Sequence, residues 1–135
     1  MRNFHFPGRS TVYARHAMAA TSHPLASGVA IDILKRGGNA VDAAIATAAT
    51  LCVVEHAMTG IGGDCFAIIA TPDGAMTGFN ASGRAPKAAT VDALAAKGVK
   101  EIVATTAHAV LVPGAIDGWC KLLAERGTMK LAEVL

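Results

Sequence analysis

The spacing of apolar and polar residues changes several times along this chain, and each change marks an element. From Pro24 to Arg36, Leu25, Val29 and Ile33 recur at every fourth position with Ala30 and Leu34 beside them, while Ser27, Asp32 and Lys35 fall elsewhere. That spacing predicts an amphipathic helix facing its core through Leu25, Val29 and Ile33. Pro24 suits a first helical turn, Lys35 and Arg36 complement the carbonyl end, and Gly37-Gly38 supplies a left-handed stop. Asn39 follows at once as an N-cap. Asp42, three residues on, can reach back to the free N–H groups as a capping-box residue would. The body from Ala43 to Val54 has hardly any polar face, so a second helix is expected there, buried between layers.

Met58 to Asp64 contains glycines that end any helix. Cys65 to Ala70 is a continuous apolar run that predicts a buried strand. Thr71-Pro72-Asp73-Gly74 is turn chemistry, with Pro second and Gly fourth, and Ala75 to Asn80 returns as the other half of a hairpin. Asn80 to Pro86 is loop. Thr90 caps a short helix ending at Gly98, Ile102 to Val112 is expected to be extended around Val110 to Val112, and Pro113-Gly114 opens a helix through Trp119, Leu122 and Leu123 to Gly127. A last helix begins near Leu131. Ahead of all these, His16 to Thr21 reads as a first strand, and residues 1–15, with Pro7, Gly8 and no periodicity, as an extended arm.

Composition sharpens this picture. At 53% hydrophobic residues and a mean hydropathy of +0.43, a chain of 135 residues has more apolar surface than so small a body can hide. Further polypeptide is therefore expected to cover part of it. The formal net charge of +2 comes from scattered basic residues, and aromatic residues make up only 4%, which argues against nucleic acid as a partner. The longest apolar run, Ala40 to Val54, is broken by Asp42, Thr47 and Thr50 and is too short to span a membrane. With no signal-peptide pattern at the N-terminus, a cytoplasmic location is expected. Cys52, Cys65 and Cys120 lack metal-ligand spacing and read as reduced thiols in apolar runs. The histidines show no HxxxH or HxH pattern, so neither a metal nor another cofactor is expected.

Few residues offer chemistry. Thr105-Thr106-Ala107-His108 sets hydroxyls near an imidazole, yet a β-propensity run with a lone His is the commoner meaning. The Gly60 to Asp64 turn lies between a helix and a strand, the reverse of the phosphate-binding order, so close backbone packing is its better reading. Arg84, in the Asn80 to Pro86 loop, has two readings of equal weight. Its planar guanidinium can clamp a substrate carboxylate, or it can anchor the loop by bonding to carbonyls.

Taken in order, TSHPLAS leading into DILKRGGNAVDAA, then VVE with MTGIGGDCFAII, the SGRAP loop and VPGAIDGW closely resemble the N-terminal part of the large subunit of γ-glutamyltransferases. The resemblance runs from about Gly8 to Leu135. It implies an α/β (α+β) chain forming the N-terminal portion of an αββα-layered N-terminal-nucleophile hydrolase, incomplete in this chain. Residues 16–135 would be part of the large-subunit domain. The family cleaves itself into two subunits, and the new N-terminal Thr of the small subunit attacks a γ-glutamyl amide. No Thr-Thr-His processing site occurs among these residues, so the nucleophile is expected outside this chain and the chain alone is expected to be inactive. The partners implied are the small subunit, the remainder of the large subunit and a γ-glutamyl or other acyl-amide substrate.

Better-known transferases grip the substrate α-carboxylate with an Arg in a D-x-R-E-x-A-P loop. Aligned on Ala85-Pro86, Asn80 falls at the Asp and Ser82 at the Arg, with Arg84 two positions later. The sequence is closer to the branch carrying an SGRAP loop. Arg84, Ser82 and Asn80 are therefore the residues expected to meet the substrate, and the wider superfamily includes acylase-type and oxamate-type enzymes. A different class of reading keeps the same loop without catalysis, as a stand-alone module binding a carboxylate ligand.

Overall fold

The computed structural model describes residues 11–135; most of the expected N-terminal arm lies outside them. The described chain runs through helices α1 (Pro24–Lys35) and α2 (Ala40–Val54), strands β1 (Cys65–Ala70) and β2 (Met76–Ala81), helix α3 (Val91–Ala96), a 3-10 turn at Ala107–Ala109, and helices α4 (Ala115–Arg126) and α5 (Leu131–Val134). β1 and β2 form an antiparallel hairpin with Cys65 opposite Ala81 and Ala70 opposite Met76. α2 is the hub. It packs along α1, touches α4 and α5, and α4 in turn lies against both strands.

The local signals for the first two helices hold. His23 caps α1, its Nδ1 accepting the Leu25 N–H at 3.2 Å, and Gly37, at φ +93°, ends it in the left-handed region. Asn39 Oδ1 accepts the N–H groups of Val41 and Asp42 at 2.8 and 3.1 Å, and Asp42 Oδ2 accepts the Asn39 N–H at 2.8 Å. The capping box is thus complete.

Asp42 also makes a second, long-range set of contacts. It is fully buried, and its carboxylate accepts the Thr128 hydroxyl at 2.6 Å, the Thr128 N–H at 3.1 Å and the Met129 N–H at 3.2 Å. Asn39 Nδ2 donates to the Arg126 carbonyl at 2.6 Å. The N-terminus of α2 and the C-terminus of α4 are therefore knotted together, ends of opposite macrodipole sign in contact. Gly127 is required there, since a Cβ would lie 2.7 Å from Asp42 Oδ1.

Several expectations need correction. The buried face of α1 is Ala26, Ala30 and Ile33, while Leu25 is 61% exposed; α1 and α2 approach closely through alanines, including Ala43 and Ala46, and small side chains win that seam over large ones. α2 is buried only in its first half. Val53 near its end is 75% exposed. β1 alternates instead of being buried throughout: Cys65, Ala67 and Ile69 are half-buried, while Phe66 and Ile68 on the other face are exposed. His16 to Thr21 forms no strand, with no ladder partner beside it among the described residues; Ser22 Oγ, just after it, donates to Glu55 Oε2 at 2.6 Å. Around Val110 the backbone is extended as expected, and the Val112 N–H donates to the Arg84 carbonyl at 3.0 Å, but Ala107–Ala109 in the same stretch forms a 3-10 turn. Cys120 is exposed, unlike half-buried Cys52 and Cys65; burial pushes the Cys65 thiol upward, and the Trp119 indole offsets part of that.

The core gathers Ile33, Ile45, Trp119, Leu122, Leu123 and Val134 around α2 and α4. α4 meets the hairpin at Gly118, where a Cβ would stand 2.5 Å from that of Ala81. This contact brings the helix onto the strands at backbone distance.

Burial by itself would raise the Asp42 carboxyl, but the Thr128 hydroxyl and the N–H groups of Asn39, Thr128 and Met129 outweigh it and hold the group below its ordinary 3.8. A carboxyl depressed in the folded state contributes stability above its unfolded value, and that contribution is lost as pH falls through the lower, folded value. Asp42→Asn should cost about 1.5–3 kcal/mol at neutral pH, the worth of one charge-assisted hydrogen bond. It should also flatten the acid limb below the ordinary carboxylate range. Denaturant midpoints of the intact protein measured from neutral to acidic pH check both.

Candidate functional site

The Gly60–Asp64 turn, the Ala81–Pro86 loop and the Val112–Ala115 entry to α4 converge on one spot. The turn is closed by the Gly63 N–H on the Gly60 carbonyl at 3.1 Å. The Gly63 carbonyl then accepts the N–H groups of both Gly114 and Ala115 at 3.0 Å, satisfying donors at the start of α4 that no intrahelical carbonyl reaches. Asp64 Oδ1 accepts the Gly83 N–H at 2.9 Å. From the other side, the Val112 N–H holds the Arg84 carbonyl.

Glycine makes this convergence possible. A Cβ on Gly83 would fall onto the Val112 carbonyl oxygen, and one on Gly114 onto the Ala81 carbonyl oxygen. Both are backbone atoms that cannot swing away. The Gly60 to Asp64 turn, for which close backbone packing was expected, differs: a Cβ on Gly60 or Gly62 would meet nothing within 4 Å, and the turn joins the frame through the Gly63 carbonyl instead.

The three predicted residues fare differently. Asn80 lies on the outward face of β2 opposite Phe66, and its Oδ1 accepts the Ser82 N–H at 2.8 Å, a local Asx turn that shapes the loop entry. Ser82 is half-buried and lines a groove of about 360 Å³ with Arg84, Lys87, Pro113 and Asp117. Asn80 does not line it. Arg84 is exposed, and among the described residues the only ion pair joins Lys121 to Asp117 at 2.6 Å. The Arg84 carbonyl is engaged, whereas no described hydrogen bond uses its guanidinium. That leaves five N–H donors in a planar fork open to a carboxylate.

Other candidate chemistry does not assemble. The Thr106 hydroxyl donates to the Val103 carbonyl at 2.7 Å, and His108 is exposed in the 3-10 turn. Among the described residues, no group of His, Cys, Asp and Glu side chains converges as metal ligands would, and no helix is long and apolar enough to cross a membrane. A larger groove of about 620 Å³ runs between residues 16–21 and the α1–α2 pair, lined largely by alanines, Met18, Leu34 and Leu51. Its polar side chains are His16, Thr21 and Thr47, and the two hydroxyls are spent on the His23 and Ala43 carbonyls. Sequence reasoning missed Asp64, whose partner is 19 positions away; its place beside a Gly-rich turn was the available signal.

Comparison with known proteins follows the same residues. The family model described as Gamma-glutamyltranspeptidase matches residues 26–135. The acylase ACY 1 proenzyme of Pseudomonas sp. (strain V22) is 40% identical over 129 residues, covering 87% of this chain and 23% of that protein. The glutathione hydrolase-like YwrD proenzyme of Bacillus subtilis (strain 168) is 39% identical over 126 residues, covering 93% of this chain and 24% of that protein. The crystal structure of cephalosporin acylase from Bacillus halodurans superposes with a TM-score of 0.88 at 45% identity, over 98% of this chain and 25% of that one. The chain thus spans about a quarter of the length of the curated relatives it matches. The helices and hairpin described above are one part of that larger fold.

Gly83→Ala should destabilise the protein by about 1–3 kcal/mol through overpacking against Val112. Ser82→Ala, whose hydroxyl has no hydrogen bond among the described residues, should stay within about 0.5 kcal/mol. Paired denaturant titrations of the two variants test the contrast.

Proposed function

Because this chain belongs to the gamma-glutamyltranspeptidase family, we propose that the complete protein is an amide hydrolase or acyltransferase acting on a γ-glutamyl or related acyl amide, with this chain supplying its carboxylate-gripping loop. The observation that carries the substrate half of this reading is Arg84. Its backbone is held at the carbonyl by Val112, one residue after Gly83 is held by Asp64, while its guanidinium, without a partner among the described residues, borders an open groove. An anchored Arg that uses its own head for the anchoring would show the opposite pattern. Of the two readings open for Arg84, the geometry favours the clamp.

The nucleophile in this proposal is an N-terminal Thr outside these residues, released when the precursor cleaves itself. Its hydroxyl adds to the amide carbon while its α-amino group takes the proton. The tetrahedral oxyanion collapses with departure of the amine, and water or an acceptor amine then cleaves the acyl ester. The role left to this chain is to bind and orient the acyl portion. Oriented binding matters because a misplaced amide carbon loses the proximity on which the attack depends. The names of the relatives, an acylase and a glutathione hydrolase-like protein, support an acyl amide as the class.

In the full-length protein, Arg84→Ala should raise KM for a γ-glutamyl anilide by about tenfold or more, the loss of one charge-assisted contact. kcat and the rate of self-cleavage should change little. Steady-state kinetics beside a gel assay of processing decides it: if self-cleavage falls as far as affinity does, Arg84 anchors the fold and the clamp reading is wrong.

A further inference from the structure

Asp64 joins the Gly60–Asp64 turn to the loop that carries Arg84. Among the described residues, the Ser82–Arg84 backbone donates hydrogen bonds to the side chains of two residues only: Asn80, two positions before Ser82, and Asp64, 19 positions from Gly83 on a different element. The opposite side of the same segment is blocked. Gly83 lies against the Val112 carbonyl and Leu111 Cβ so closely that no Cβ fits, and the Arg84 carbonyl takes the Val112 N–H. The loop is thus flanked by Val112 on one side, and Asp64, whose carboxylate oxygen holds the Gly83 N–H, tethers it from another element. Asp64 itself is fixed by its neighbour, because the Gly63 carbonyl is pinned by the two leading N–H groups of α4.

From this geometry we infer that Asp64 is a positioning residue for Arg84: by accepting the Gly83 N–H it sets where the next residue's guanidinium stands in the groove, and so sets affinity for the carboxylate-bearing part of the substrate. A charged acceptor makes a shorter and stronger bond to a backbone N–H than a neutral one does. Removing it leaves Gly83, a residue with wide conformational freedom, held on one side only. The kinetic part of this inference rests on the acyl-amide reading of the site; the positional part does not.

The test uses the full-length protein in four forms: wild type, Asp64→Ala, Asp64→Asn and Asp64→Ala with Arg84→Ala. Hydrogen exchange of the peptide spanning residues 82–87 should speed up about tenfold in Asp64→Ala and return to within about threefold of wild type in Asp64→Asn, which keeps an acceptor oxygen. With a γ-glutamyl anilide, Asp64→Ala should raise KM about five- to tenfold with kcat within about twofold, and it should add nothing once Arg84 is gone. Should Asp64→Ala fail to accumulate, Asp64→Glu takes its place, carrying the charge one methylene further and displacing the loop with the same expected outcome. Unchanged exchange at 82–87 overturns the inference, as does a KM effect that multiplies with that of Arg84→Ala. If wild type cleaves no acyl amide at all, the proposed function fails, and the exchange result alone still decides the role of Asp64.

Discussion

A buried carboxylate is the constraint on which this structure depends. Asp42 is sealed from solvent with no cation beside it among the described residues, an arrangement that would cost several kcal/mol if the charge were uncompensated. It is compensated by hydrogen-bond donors at its own helix N-terminus and by the Thr128–Met129 backbone and hydroxyl. Both oxygens are used, so neither partner can shift without stranding a charge. The position of α4 relative to α2 follows from that, and with it the position of everything α4 touches.

The connection continues outward. α4 is fixed at its C-terminal end by the Asn39–Asp42 knot and at its N-terminal end by the Gly63 carbonyl. Between these ends Gly118 rests on β1 and β2. One helix therefore carries the rigidity of a buried ionic centre to the Gly60–Asp64 turn and, through Asp64, to the loop bearing Arg84. The site lies on an exposed loop, yet its backbone is tied at successive residues to parts of this frame. That combination fixes the Arg84 backbone in place while its guanidinium stays outward.

What could be read in the sequence was whatever nearby residues decide. The Asn39–Asp42 capping box, the left-handed Gly37, the Thr71–Gly74 turn and the Thr90 cap all involve partners within a few positions, and each was legible. The α1 seam was legible only in part. Periodicity found Ile33 with Ala30 beside it, but it weighs hydrophobicity and also picked Leu25, whereas close helix approach selects for small size and took Ala26. Nor could any local rule show that Asp42 has a second set of donors 86 positions away or that Asp64 reaches Gly83. At the site, the motif resemblance drew attention to Asn80, Ser82 and Arg84 together. The structure divides them, with Asn80 spent on the loop's own backbone and Ser82 and Arg84 sharing a groove.

The glycines beneath that groove have a consequence for how such a protein can change over time. Gly83, Gly114 and Gly118 admit no side chain, so the frame there has almost no freedom to vary. Arg84 and Lys87, by contrast, are exposed on the groove wall, and replacing either leaves the interior untouched. Mutational drift is thereby channelled: the outward side chains of the groove can be exchanged while the scaffold is inherited intact.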